Sequence, residues 1–249
     1  MLIDLSREVT NTVGEPDEVT ITVLTHEDGA ELLGERFGIT KDDFPDSMAI
    51  NNERLSLTTH TSTHMDSPYH YGPISEGKKA KRIDEVPLEW CVNNGIVIDL
   101  SSSTSEEPIT KNEISEYLKK YELILTPLTI VFINTGSDNK WGSQEFFTNF
   151  RGVSRDAIDF LLDFGVKVIG VDSFSVDPPF DKMLKRYDEC RDSSVLWPAH
   201  ILGRSREYCQ IERLTNLNLL PKNRTFQVFC APIKLKKLGA AWCRVIAVV

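Results

Sequence analysis

A chain of 249 residues, 41% hydrophobic and 26% charged, can bury a sizeable core without disulfide staples, and a single domain over 1–249 accommodates it. The formal net charge of −9 argues against nucleic acid and anionic membranes as partners, and the basic runs at 78–82 and 234–237 are short enough to be solvated faces. Five scattered cysteines with no Cys-x-x-Cys pair, an acidic start where a leader needs a basic one, and no apolar run near the roughly 18 residues of a membrane span point to a reduced, cytoplasmic protein.

Helical spacing covers 27–37 and stops near Gly38. Residues 53–59 alternate as a half-exposed strand does, and lead into a histidine-rich run. Residues 95–100 form the first of several apolar, β-branched segments that read as buried strands; the others are 129–134, 166–171 and the C-terminal 243–249. Between them, Thr110-Lys-Asn-Glu113 is a capping box opening a helix with Ile114, Tyr117, Leu118 and Tyr121 at helical spacing. Ser154 caps a second helix carrying Ile158, Leu161 and Leu162, with Gly165 closing it. A further alternating stretch runs from Thr225 towards Ala231. Strands and helices alternate in the middle while both ends are strand-rich, which makes the fold class α/β.

Four of the five histidines converge on one candidate site. His60, His64 and His70 share the run His60-Thr-Ser-Thr-His64-Met-Asp66-Ser-Pro-Tyr-His70, and His200 precedes Glu212 by twelve residues. Neutral imidazoles interleaved with a carboxylate are the ligands that zinc and its first-row neighbours take. In an extended strand His60 and His64 would lie ~13 Å apart, at ~3.3 Å per residue, too far for one ion. In a regular helix Asp66 would point to a different face, and Pro68 would interrupt it. The chain is therefore expected to leave its strand and coil through about one helix-like turn, bringing His60, His64 and Asp66 together. Three protein ligands with an open position suit a catalytic ion, whereas a structural site is closed by four, usually with cysteine. One histidine alone would more often be a surface or core residue; the motif as a unit favours metal. His200, after Trp197-Pro198, and Glu212, in a short strand-like segment, are each unremarkable alone. Asp172 and Asp177 follow a buried strand, where lining the site and ordinary turn chemistry are equally compatible; Gly136 fits a turn.

These residues resemble the cyclase family of metal-dependent hydrolases, which includes bacterial kynurenine formamidase and isatin hydrolase. That family carries His-x-Gly-Thr-His-x-Asp-x-Pro-x-His, with Ser62 here in place of the glycine. Residues 95–101, 134–136, 152–154, 170–177 and 216–221 resemble family landmarks in family order, so the likeness covers nearly the whole chain. It implies one α/β domain whose mixed sheet closes towards a barrel flanked by helices, assembled as a homodimer or homotetramer. It implies two divalent ions per chain, zinc or manganese, held by His60, His64, Asp66, His200 and Glu212, with Asp66 and Glu212 bridging. His70 matches the family's proton donor and acceptor, the rival role being a ligand of the second ion. The implied activity is hydrolysis of an amide-type bond in a small molecule (a formamide, lactam or cyclic amide). A metal-dependent cyclase or lyase, an esterase or lactonase of a natural-product pathway, and a non-enzymatic scaffold are the alternatives. The formamidases carry a substrate-packing tryptophan in the N-terminal loop; here 10–20 has Gly14-Glu-Pro16 and no tryptophan, so a different substrate pocket is expected.

Overall fold

Apolar side chains at period two let one strand serve two cores, and the central strands of this protein do so. The computed structural model describes residues 1–249. In chain order its strands are β1 (Leu2–Asp4), β2 (Thr20–Leu24), β3 (Asn52–Ser56), β4 (His64–Asp66), β5 (Ile74–Ser75), β6 (Lys78–Lys79), β7 (Val92–Asp99), β8 (Ile130–Asn134), β9 (Val168–Val171), β10 (Cys209–Glu212), β11 (Phe226–Phe229), β12 (Ala240–Trp242) and β13 (Ile246–Val248). Nine of them make one sheet in the order β1-β13-β11-β7-β8-β9-β10-β4-β12. Strands β7 to β10 are parallel neighbours and the other pairings are antiparallel, so the sheet is mixed.

Met65, Val97, Ile130, Phe132, Val168, Ile211 and Val228 project into one core. The intervening Ile96, Ile98, Val131, Ile133, Ile169 and Val171 project into the other, against Ile114 and Leu118 of helix Lys111–Lys120 and Ile158 and Leu161 of helix Arg155–Asp163. The C-terminal segment reaches both ends of the sheet, since β12 is the edge strand beside β4 while β13 lies next to the other edge, β1, and pairs with β1 and β11. Only 243–245 separate them, and the sheet curls into a half-barrel. The unbroken strand expected over 243–249 is therefore two strands. At the break the ladder is replaced locally: the Val245 N–H donates to the Ser6 hydroxyl at 2.6 Å and its carbonyl accepts from the Leu5 N–H at 2.8 Å.

The Thr110 capping box forms, its hydroxyl accepting from the Glu113 N–H at 3.3 Å. Ser154 precedes its helix but does not cap it, because its hydroxyl donates to the Ile109 carbonyl at 2.7 Å. Helix Phe180–Cys190 was not expected from the sequence, although Phe180, Met183, Leu184 and Tyr187 stand at helical spacing in it; Met183 is its one buried residue. No helix is long and apolar enough to cross a membrane.

The chain divides into two compact units, Met1–Glu15 with Thr59–Val249, and Pro16–Thr58. The nine-stranded sheet lies wholly in the first. The second is a β2–β3 hairpin with helix His26–Phe37, which has a Thr25–Asp28 capping box and Gly38 in the left-handed region (φ 73°) at its end.

Candidate metal centre

Strand pairing fixes the first two side chains of the site. In β4, Met65 is buried in the inner core, which sends His64 and Asp66 to the opposite face. On one side β10 sets Glu212 opposite His64 and Gln210 opposite Asp66; on the other, β12 sets Trp242 opposite His64 and Ala240 opposite Asp66. Ahead of His64 the chain turns at Thr59–His60 and bends through Thr61–Thr63 without forming a regular helical turn, and it is extended over His64–Asp66. Buried Thr63 anchors that irregular stretch, its hydroxyl donating to the Arg213 carbonyl at 2.7 Å and accepting from the Arg7 N–H at 2.9 Å. Ser62 lies in the left-handed region (φ 58°), which accounts for a glycine being favoured there. Its hydroxyl donates to the carbonyls of Arg7 (3.1 Å) and Glu8 (2.8 Å).

The Ser62 carbonyl also orients His64, lying 2.9 Å from Nδ1. A carbonyl can only accept, so neutral His64 carries its proton on Nδ1 and turns the Nε2 lone pair into the site. His70 sits in the short turn Pro68–Tyr71, and His200 in the short helix Pro198–Leu202. Glu212 ends β10; its Oε1 accepts from the Ser175 hydroxyl (3.0 Å) and the Val176 N–H (2.9 Å), leaving Oε2 to face His64.

The structure brings all six expected residues together around Asp66. Its Oδ1 lies 3.1 Å from His60 Nδ1 and 3.6 Å from His64 Nε2; its Oδ2 lies 3.7 Å from His200 Nε2 and 3.9 Å from His70 Nε2. Glu212 Oε2 is 3.6 Å from His64 Nε2. His60, His64 and Asp66 place one ligand atom each within 4.8 Å of one another, and so do Asp66, His70 and His200. The second group includes His70, so its position suits a ligand as well as a proton carrier.

Two buried carboxylates and four imidazoles perturb one another strongly here. Burial opposes the charge on Asp66, yet the surrounding His70, His64, His200 and His60 hold its carboxyl well below the usual range. Burial and the neighbouring Asp66 push Glu212 up. Burial drives His64 down to about 3 and lowers His70 despite Asp66. For His60 and His200 burial is outweighed, by Asp66 in the first and by Asp177 with Asp66 in the second, and both are raised. The donor set passes the test of fit for a divalent ion. Both oxygens of Asp66 and Nε2 of His64 are shut off from solvent and meet no well-aligned hydrogen bond. Buried polar atoms are rarely left so, and convergent nitrogen and carboxylate lone pairs are what zinc and manganese accept.

Sequence reasoning left out one residue that the site uses. Asp177, fully buried, takes the His200 Nδ1–H at 2.5 Å. Its only sequence signal was an acidic residue after a strand, and the same signal at Asp172 leads elsewhere. There the carboxylate accepts from the Thr135 N–H and hydroxyl (2.7 Å each) and the Asp138 N–H (3.1 Å), closing a turn. Gly136 is in that turn, at φ 84°.

A half-barrel mixed sheet carrying a buried cluster of histidines and carboxylates defines an α/β protein with a candidate metal centre. The family model Cyclase ("Putative cyclase") matches residues 3–178, more than half of the chain, and the chain belongs to that family. It is 32% identical over 145 residues to a kynurenine formamidase of Bacillus thuringiensis (strain Al Hakam), covering 58% of this chain and 61% of that one. To the kynurenine formamidase of Bacillus anthracis it is 31% identical over 158 residues, covering 63% and 66%. The chain thus spans less than two thirds of the length of these relatives. Among solved structures, isatin hydrolase A from Ralstonia solanacearum shares the fold with a TM-score of 0.75 at 19% identity, over 99% of this chain and 91% of that one.

Proposed function

We propose that this protein is a divalent-metal-dependent hydrolase that uses water to cleave an amide-type carbon–nitrogen bond (a formamide, lactam or related cyclic amide) in a small molecule. The observation that carries the reading is Asp66, a buried carboxylate with four imidazoles within 3.9 Å and no well-aligned donor at either oxygen. Family membership and the names of the formamidase relatives support the bond type.

His60, His64 and Asp66 would hold one ion, and His200 and Glu212 would hold a second with Asp66 shared. Bound zinc or manganese would supply the Lewis acidity that makes water nucleophilic near neutral pH and polarises a carbonyl. The chain's own residues do the rest. Ser62 and Asp177 fix which nitrogen His64 and His200 present; Ser175 and Val176 fix which Glu212 oxygen faces inward. His70 is the proton carrier. Its Nε2 is the farthest of the four nitrogens from Asp66, and its side chain keeps 34% of its surface open, at the accessible edge of the cluster. As water adds to the carbonyl carbon, Nε2 takes up the proton that the water gives up, and as the C–N bond breaks it delivers that proton to the departing nitrogen.

Metal analysis and turnover in ¹⁸O-labelled water test this together. The expected result is stoichiometric zinc or manganese, turnover of formamides or lactams lost on chelation and restored by the metal, and one labelled oxygen in the carboxylate product. Turnover that incorporates no solvent oxygen would replace hydrolysis by cyclisation or elimination.

A further inference from the structure

Asp177 touches no other residue of the Asp66 cluster but His200, and every polar contact of its carboxylate is made to one helical turn. Oδ1 accepts from the Ala199 N–H at 2.7 Å; Oδ2 accepts from the His200 N–H at 3.1 Å and from His200 Nδ1 at 2.5 Å. A helix cap would need only the two backbone contacts. The third, to the ring, is the shortest and says something about protonation. A carboxylate only accepts, so Nδ1 bears the hydrogen, and the lone pair of a neutral imidazole is forced onto Nε2, which lies 3.7 Å from Asp66 Oδ2.

The loop that carries Asp177 is itself held. The Val153 N–H donates to the Val176 carbonyl at 2.7 Å, and a Cβ on Gly152 would come within 2.4 Å of the Pro178 nitrogen. Two residues earlier the same loop binds Glu212 Oε1 through Ser175 and Val176. One segment after β9 therefore sets the direction of both His200 and Glu212, which are far from it in sequence.

We infer that Asp177 is a positioning residue that locks His200 in the Nδ1–H form with Nε2 aimed at Asp66, and thereby sets the affinity of the His200 side of the cluster for a divalent cation. The affinity half of this inference rests on the function proposed above; the ring-orientation half does not. A carboxylate partner on the distal nitrogen raises the basicity of a ligating imidazole, and its loss typically costs 10–100-fold in metal affinity.

The test uses the full chain with ¹⁵N-labelled histidine, wild type and Asp177→Asn. Asparagine keeps one acceptor oxygen for the backbone N–H groups, and a purely capping role predicts the same His200 ring protonation and the same zinc affinity in both. In metal-free wild type, a proton on His200 Nδ1 is expected in ¹H–¹⁵N correlation spectra, and Asp177→Asn should lose it. Zinc affinity, by competition with a chromophoric chelator, should fall roughly 10–100-fold in the variant, while the thermal midpoint of the metal-free protein stays close to wild type. An Asn variant with the same Nδ1 proton and the same zinc affinity overturns the inference. So does wild type with no proton on His200 Nδ1, a result that needs no folded variant. Wild type showing that proton but binding no zinc would support the orientation and overturn the metal reading instead.

Discussion

His64 and Asp66 keep 1% of their side-chain surface, whereas His60 and His70, at either end of the same run, keep about a third of theirs at 33% and 34%. The closed pair is held by two strand ladders and by a carbonyl on the distal nitrogen of His64. The open pair lies on irregular backbone and a four-residue turn, with ring centroids 4.4 Å apart. The contrast sets off the two most tightly held groups, while the exposed pair divides between His60, proposed as a ligand, and His70, proposed as the proton carrier. Groups that must hold charge in place are desolvated and locked, where electrostatic interactions are strong; a group that must exchange protons with substrate needs a route to solvent and some freedom to move.

Substitutions can break that contrast, beginning with the largest effect. Asp66→Asn and His64→Ala are expected to abolish metal content and turnover together, read by elemental analysis and a formamide or lactam assay; a variant that keeps both refutes the closed pair as ligands. His70→Ala is expected to keep its metal while turnover falls roughly 10²–10⁴-fold, the usual worth of a general acid–base group. Loss of metal from that variant would make His70 a ligand and leave the proton carrier unassigned.

Two further changes sharpen the comparison by leaving the centre alone. Glu113 accepts both oxygens' worth of hydrogen bonds from the mostly buried Arg151 (2.8 and 2.9 Å) while closing the Thr110 capping box. Glu113→Ala should cost about 1–3 kcal/mol in chemical denaturation, because the guanidinium loses its carboxylate. Burial opposes charge on Glu113, but Thr110 and Arg151 outweigh it and hold the carboxyl below its ordinary 4.5. Its contribution to stability is therefore fully present above that pH and disappears as the pH falls through the depressed value, so wild type and variant should converge in acid. A gap that widens in acid would contradict the assignment. The smallest effect belongs to Ser62→Gly. Relief of the left-handed backbone opposes the added freedom of the unfolded chain and the loss of the hydroxyl's bonds, so stability should change by within about 1 kcal/mol. Zinc affinity should not change, since the carbonyl at position 62 still accepts from His64.

The first half of the site was legible in the sequence because its spacing is local: three histidines and Asp66 within eleven residues put a ligand set on one short stretch of chain. His200 and Glu212 were not legible from spacing, since the pairing of β10 with both β9 and β4 brings in Glu212 and the short helix Pro198–Leu202 brings in His200. Resemblance to a family supplied them where periodicity could not. Asp177 escaped because turn chemistry and ligand support look alike in sequence; only the position of His200 Nδ1 distinguishes it from Asp172. The same limit applies to the fold. Strands β7, β8 and β9 were visible as apolar runs, but a C-terminal stretch that breaks into an edge strand, β12, and a strand beside the opposite edge, β13, reads as one segment until its partners are known.

The central claim is that Asp66 lies at the heart of a divalent-metal centre, and anomalous scattering at the zinc edge from crystals grown with zinc tests it most directly. The account predicts peaks at ligand-bond distance, ~2.0–2.2 Å, from Asp66 and from the imidazoles of His60 and His64. Crystals saturated with zinc that show no anomalous peak beside Asp66 would contradict it.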